Sequence, residues 1–177
     1  RSRSNGCCGG GVCMVPAARA VAPLTDVRRW SRGMTYKKAL AGSNGGGGKS
    51  VIIGNPKTVK TPRLFQAMGE AIGSLGGMYI AAEDSGTTPA DMAVMAESTQ
   101  FVAGLDSDSN SGAPSPSTAL GVFLSIREEV RFRFNESALT GLRVNIQGLG
   151  KVGYELARLL IDAGVVVTAS DLNDANC

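Results

Sequence analysis

The segment Gly148-Leu149-Gly150-Lys151-Val152-Gly153 constrains the fold of this chain most, because three glycines at GxGxxG spacing form a turn that joins a strand tightly to a helix. The flanks have the composition this turn needs. Residues 143–147, Arg-Val-Asn-Ile-Gln, read as a strand. Residues 151–163 carry the apolar period of a helix, and residues 165–169, Val-Val-Val-Thr-Ala, read as a second strand. Together they predict one βαβ unit with parallel strands. The first glycine permits the turn, the second lets the backbone approach a pyrophosphate, and the third lets helix and strand pack closely, while helix-end N–H groups face the anion. Asp171 follows Gly150 by 21 residues. There, at the end of the second strand, a carboxylate accepts hydrogen bonds from ribose hydroxyls and repels a 2′-phosphate, so NAD is expected rather than NADP. A doubly wound domain contains two such halves, and 24 residues follow Gly153. The sequence is therefore expected to cover only the start of that domain and, alone, to bind NAD weakly.

Composition narrows the chemistry. The 177 residues include 18 Lys and Arg against 15 Asp and Glu, a net charge of +3. That balance argues against an electrostatic grip on nucleic acid. Histidine is absent, which removes Ser-His-Asp and Cys-His nucleophile pairs and the HExxH zinc site. Proton transfer is left to Lys, Asp, Glu, Tyr or Cys. No apolar run approaches the roughly 20 residues that span a bilayer, and no export signal follows the basic start. The four cysteines include no CxxC pair, which suits reduced thiols in a cytoplasm.

Upstream, the first 22 residues show no clear period. A short helix is predicted from about residue 24 to 32, stopping before Gly33, and a second from Pro62 until Gly76-Gly77. Residues 51–53 and 78–81 are apolar runs between glycines and read as buried strands. From 104 to 117 the composition turns to Asp, Ser, Asn, Gly and Pro, as in an interdomain crossing. Pro116 then opens a helix that the Asn135-Glu136-Ser137 stretch ends. The predicted division is a first α/β domain over 1–133, with the crossing near 104–118, and the start of a Rossmann domain over 137–177.

The loop Gly45-Gly46-Gly47-Gly48-Lys49-Ser50 looks like a phosphate-binding loop but fails its spacing. Ser43 stands where the first glycine belongs, and a strand rather than a helix follows. What remains is Lys49 on a backbone poor in side chains, with Lys37-Lys38 twelve residues upstream. Ammonium groups converging on one pocket would lower a lysine pKa toward that of a base. Glu83-Asp84 forms an acid pair at a predicted strand end, a place where chemistry is often presented. Taken singly, Lys49 fits a solvated loop lysine and Asp84 a helix cap. Beside a dinucleotide fold, both become candidate catalytic groups.

Four segments then carry a resemblance: Gly33-Met34-Thr35-Tyr36-Lys37, the run from Gly46 through Lys49 to Pro56, Ala82-Glu83-Asp84-Ser85-Gly86-Thr87, and GAPSPSTALGV over 112–122. With the GLGKVG turn and Asp171, they resemble the Glu/Leu/Phe/Val amino-acid dehydrogenases, in particular the leucine, valine and phenylalanine branch. The resemblance implies reversible oxidative deamination of an L-amino acid to a 2-oxo acid and ammonia, with NAD as hydride acceptor. It implies Lys49 as the base that activates water and Asp84 as the group that exchanges a proton with the amine. Lys37 would clamp the substrate carboxylate, with Gly9 and Met34 lining the pocket. Thr118 would contact the nicotinamide amide, and Gly148, Leu149, Gly150, Lys151, Val152, Gly153 and Asp171 would hold the rest of the cofactor. Gly9 stands where the glutamate enzymes carry a charge partner for the substrate side chain, so an apolar substrate is expected. A homo-oligomer is the family's implied state.

The chain departs from the pattern at Ser43 and Gly45, where aliphatic residues are usual, at Cys13, where an arginine is common, and at Ala113, where Asn is usual. Two other classes remain open: a Rossmann oxidoreductase acting on hydroxyl groups, which the lack of histidine disfavours, and a non-catalytic NAD-binding relic. Loss of Lys49 or Asp84 would mark such a relic, and both are present.

Overall fold

The computed structural model describes residues 7–16, 21–105, 114–135 and 138–177. The chain divides into two compact units, Arg1–Ala113 and Pro114–Cys177. The first unit is built on a parallel sheet whose central strand β1 (Cys8–Val15) pairs on one side with β2 (Gly46–Gly47) and β3 (Ser50–Ile53), and on the other with β4 (Tyr79–Glu83). Helices α1 (Val21–Leu40), α2 (Pro62–Gly73) and α3 (Pro89–Ala96) alternate with these strands.

Sequence reasoning missed β1 altogether. Three adjacent glycines lower strand propensity, yet here their neighbours approach too closely for side chains. A Cβ built at Gly10 would lie 1.8 Å from the Gly48 carbonyl oxygen. Tertiary packing therefore overrides local preference. Likewise α1 does not stop at Arg32 but runs through Gly33 to Leu40. The cost of about 1 kcal/mol for a helical glycine is offset by a clasp between helix and strand. The Ser31 hydroxyl donates to the Gly47 carbonyl at 2.9 Å, and the Gly47 N–H donates to the Thr35 hydroxyl at 3.1 Å.

The predicted second helix and both apolar strands are present with small shifts at their ends. Thr61 caps α2 by accepting the Leu64 N–H, and Phe65 and Ile72 on its inner face join Val12, Met14, Tyr79, Ala81, Met92 and Met95 in the core. Full burial of such side chains contributes about 1.5–3 kcal/mol each. Thr88 caps α3 in a reciprocal capping box with Asp91.

The second unit comprises α4 (Ser115–Phe134), β5 (Arg143–Gln147), α5 (Lys151–Asp162) and β6 (Val166–Ser170). β5 and β6 pair in parallel from Arg143↔Val166 to Gln147↔Ser170, as the βαβ reading expects. Ala119 and Val130 of α4 pack with Leu139, Ile146, Leu156, Leu160 and Val165. The sequence-based division between 133 and 137 groups α4 with the first unit; its apolar side chains instead complete the core of the second, which begins at Pro114. Most of the predicted crossing, including Ala113, and residues 136–137 at the predicted division lie outside the described residues. Among the described residues no helix is long and apolar enough to cross a membrane.

Candidate functional site

The first site is assembled on β1 from both of its neighbours. On one side Gly9 pairs with Gly47 and Val12 with Ser50. The register continues across the break between β2 and β3, so Gly48 and Lys49 run alongside Gly10 and Gly11. On the other side Gly11 pairs with Ala82 and Val12 with Glu83, which brings Asp84 to the level of Cys13. Lys49 and Asp84 thus approach from opposite flanks of one strand and meet in an ion pair. They meet because Gly11 has no side chain: a Cβ there would lie 2.3 Å from Asp84 Oδ2. The Lys49 side chain is 9% exposed, which removes the reading of a solvated loop lysine.

Asp84 is held by its own turn as well. The Ser85 N–H donates to Asp84 Oδ1 at 2.6 Å, and the Asp84 N–H donates to the Thr87 hydroxyl at 2.9 Å. That buried hydroxyl reaches the Val12 carbonyl at 3.0 Å, tying the turn to β1. The helix cap foreseen for Asp84 is supplied by Thr88 and Asp91 instead, which leaves the Asp84 carboxylate to face Lys49. Burial would raise the Asp84 carboxyl, but the Lys49 ammonium and the Ser85 N–H outweigh it and hold the group below the ordinary carboxylate range. Of the predicted acid pair, Asp84 meets the lysine, while Glu83 is buried at the end of β4.

Two further groups complete the surroundings. The Tyr79 hydroxyl donates to the Gly10 carbonyl at 2.7 Å, and burial pushes this phenol up to about 12. Cys13 is 4% exposed, and its thiol, level with Asp84 on the same strand face, is pushed up to about 11 by burial and by the Asp84 charge. Both remain protonated at neutral pH, so the charge at this site resides on Asp84 and Lys49. Motif reading passed over Gly11, Thr87 and Tyr79 as site residues and noted Cys13 only as a departure. The one available signal was the GGxxC run from Gly9-Gly10 to Cys13, whose alternation puts Gly9, Gly11 and Cys13 on one strand face.

The residues assigned to substrate binding separate. Met34 is half-buried, its Cγ 3.6 Å from a Cβ built at Gly10. Lys37 is exposed in the last turn of α1. The ammonium that reaches the glycine floor belongs to Lys38, with Nζ 2.9 Å from a Cβ at Gly9 and 3.1 Å from one at Gly45. Thr118 belongs to the second unit, on α4, where its hydroxyl donates to the Pro114 carbonyl at 2.8 Å.

The second site is the turn between β5 and α5. Gly148 has φ +94°, open to glycine at little cost. A Cβ at Gly153 would lie 1.9 Å from the Gly148 carbonyl oxygen, so the third glycine sets the close packing of helix on turn. Gly150 caps α5 without a side-chain acceptor, and a Cβ on it would meet nothing within 4 Å. Lys151 and Val152 open the helix, Lys151 exposed and Val152 packed on the core. Asp171 accepts from the Leu149 N–H at 2.6 Å and from the Asn173 N–H at 2.8 Å, and these donors, Asn173 first, hold its carboxyl below the usual range. An uncapped helix N-terminus, open space at the second glycine and a carboxylate at the next strand end fit a dinucleotide pyrophosphate and ribose. Among the described residues no cluster of His, Cys, Asp and Glu is suited to a metal ion.

Residues 2–101 match the family model described as Glu/Leu/Phe/Val dehydrogenase, dimerisation domain. Similar proteins include the leucine dehydrogenase of Thermoactinomyces intermedius, 42% identical over 168 residues that make up 94% of this chain and 46% of that protein. The phenylalanine dehydrogenase of the same organism is 43% identical over 169 residues, 95% of this chain and 46% of that protein. Among solved structures, the L-tryptophan dehydrogenase of Nostoc punctiforme matches with a TM-score of 0.66 and 40% identity, covering 94% of this chain and 47% of that one. A hetero-hexameric glutamate dehydrogenase of Thermus thermophilus shares the fold, with a TM-score of 0.80 at 24% identity over 96% of this chain and 43% of that one. The chain spans about half the length of the relatives it matches.

Proposed function

The chain belongs to the Glu/Leu/Phe/Val dehydrogenase family, and from that premise we propose that its protein is an NAD-dependent amino-acid dehydrogenase that deaminates an apolar L-amino acid reversibly to the 2-oxo acid and ammonia. The observation that carries this reading is the Lys49–Asp84 ion pair across Gly11 in the family-matched unit. Lys49, once its ammonium proton has passed to Asp84 within the ion pair, accepts the proton of the water that attacks the substrate imine, and Asp84 exchanges a proton with the amine and then with the carbinolamine. Near burial of the lysine side chain excludes bulk water from that exchange. When bound, NAD supplies the hydride acceptor. Gly148, Leu149, Gly150, Lys151, Val152 and Gly153 would cradle its pyrophosphate, Asp171 its ribose, and Thr118 the nicotinamide amide, as the resemblance implies. The preference for NAD over NADP rests on Asp171. The substrate carboxylate is assigned to Lys37, and the side chain to a pocket lined by Gly9 and Met34. The protein is a soluble cytoplasmic enzyme in this reading, working as a homo-oligomer.

One observation favours a second reading of the substrate. The Lys38 ammonium fills the space that the missing side chain at Gly9 leaves, and a cation there suits an amino acid with an acidic side chain. Amino-acid-dependent NADH production by the full-length protein, across leucine, valine, isoleucine, phenylalanine and glutamate, separates the two. Lys49→Ala should lower kcat by about 100- to 10,000-fold while leaving NAD affinity nearly intact. Preference for glutamate over every apolar amino acid would overturn the apolar assignment; full activity in Lys49→Ala would overturn the mechanism.

A further inference from the structure

The face of β1 that carries the ion pair continues to Cys13. Alternation places residues 9, 11 and 13 on one side of the strand. Above the first lies the Lys38 ammonium and above the second the Asp84 carboxylate, and the third contributes the Cys13 side chain. The turn is pinned at this level, since the Met14 N–H donates to the Ser85 carbonyl at 2.9 Å. Asp84 therefore sits between Lys49, arriving from the β2–β3 junction, and the Cys13 thiol, arriving from β1.

A carboxylate has about four lone-pair sites. Lys49 occupies Oδ2, and the Ser85 N–H occupies Oδ1. A third donor can be accepted, and a thiol qualifies only while it keeps its proton, as burial and the adjacent negative charge ensure for Cys13. The other groups around Asp84 are the Thr87 hydroxyl on its backbone N–H and the neutral Tyr79 phenol on β4, itself bonded to Gly10. The Lys38 ammonium stands two residues away along the floor, at Gly9.

We infer that Cys13 is a positioning residue for Asp84: its S–H donates to the carboxylate, favours the ionised form, and fixes the orientation in which that form meets Lys49. The proton stays on sulfur throughout, and the thiol touches neither substrate nor cofactor. The consequence for turnover rests on the proposed deamination; the hydrogen bond itself does not.

The test compares wild type, Cys13→Ala and Cys13→Ser in the full-length enzyme. Removing a donor to the ionised form raises the pKa of a carboxyl. The acidic limb of the kcat/KM profile of Cys13→Ala should therefore move up by about half a pH unit to one unit, and Cys13→Ser, which keeps a donor, should return most of the way to wild type. A carbon-13 NMR titration of the Asp84 carboxyl in the folded proteins should show the same order. Coincident titrations in all three proteins, or a serine variant displaced as far as the alanine variant, would overturn the inference. If wild type proves inactive toward amino acids, the deamination reading fails, while the NMR titration still decides the hydrogen bond. Should Cys13→Ala not fold, Cys13→Val, close in size and without a donor, takes its place: an Asp84 titration displaced upward by about half a unit or more supports the bond, and one coincident with wild type refutes it.

Discussion

At Gly11 the volume a side chain would take is filled by the protein's own Asp84 carboxylate, whereas at Gly150 the corresponding volume lies open. Both positions belong to glycine clusters, Gly11 within β1 of the first unit and Gly150 in the turn after β5 of the second. The first serves contact within the protein: two charged side chains from flanking segments close over the strand. The second leaves helix N–H groups exposed to an arriving anion. One residue type thus assembles a site in one unit and keeps a site accessible in the other. The surroundings of the glycine, rather than its own flexibility, distinguish these uses.

The sharpest way to break this contrast is to add one methyl group at each position. Gly11→Ala places carbon 2.3 Å from the Asp84 carboxylate and must displace it. A catalytic group moved by ~1 Å can lose about 100-fold in rate, so kcat should fall by about that factor in steady-state assays with NAD saturating. Gly150→Ala is expected to act only when ligand arrives. Its melting temperature should match wild type, while calorimetry should show NAD binding weakened by about tenfold, about 1.4 kcal/mol. If Gly150→Ala destabilised the free protein as much as Gly11→Ala, the contrast would be lost.

A smaller effect separates the two adjacent lysines. The family resemblance assigns the substrate carboxylate to Lys37, yet Lys38 holds the ammonium over Gly9. Lys38→Met should raise KM by roughly two- to tenfold, the range of one intramolecular hydrogen bond. Measuring it with leucine and with glutamate shows which carboxylate the ammonium serves. A rise with leucine points to the α-carboxylate, and a rise confined to glutamate points to the side chain. An unchanged KM in Lys38→Met beside a tenfold rise in Lys37→Met would return the role to Lys37.

The two units differed equally in how far they could be anticipated. Everything that defines the second site lies within one stretch of chain: strand, three glycines, helix, strand and acid follow each other, so local periodicity and spacing located β5, α5, β6 and Asp171. The first site joins residues 11, 49 and 84, and nothing short-range in Cys8-Gly9-Gly10-Gly11 announces a central strand. Lys49 and Asp84 were legible through resemblance, as was their partnership in chemistry; that they meet across a bare glycine was not. Gly33 misled for the same reason: helix α1 depends on Ser31 and Thr35 reaching Gly47, a partner 12 to 16 residues away. Side-chain packing of α4 was also beyond local reading, because its apolar positions fit either neighbour in sequence and only the assembled core selects one.

The pairing of β1 with β2 and β3 has a consequence for how this protein tolerates changes in length. Gly47 and Ser50 are both anchored to the same strand, opposite Gly9 and Val12, so two residues must bridge the interval and there is no slack to absorb a third. Adding or deleting a single codon between them would push one anchored segment over by a residue, turning inward-facing side chains outward and carrying the lysine past its acid. Residues 41–45, which precede the first anchor and lie outside any helix or strand, carry no such restriction. Indels should therefore be purged from the short interval and accepted in the preceding loop.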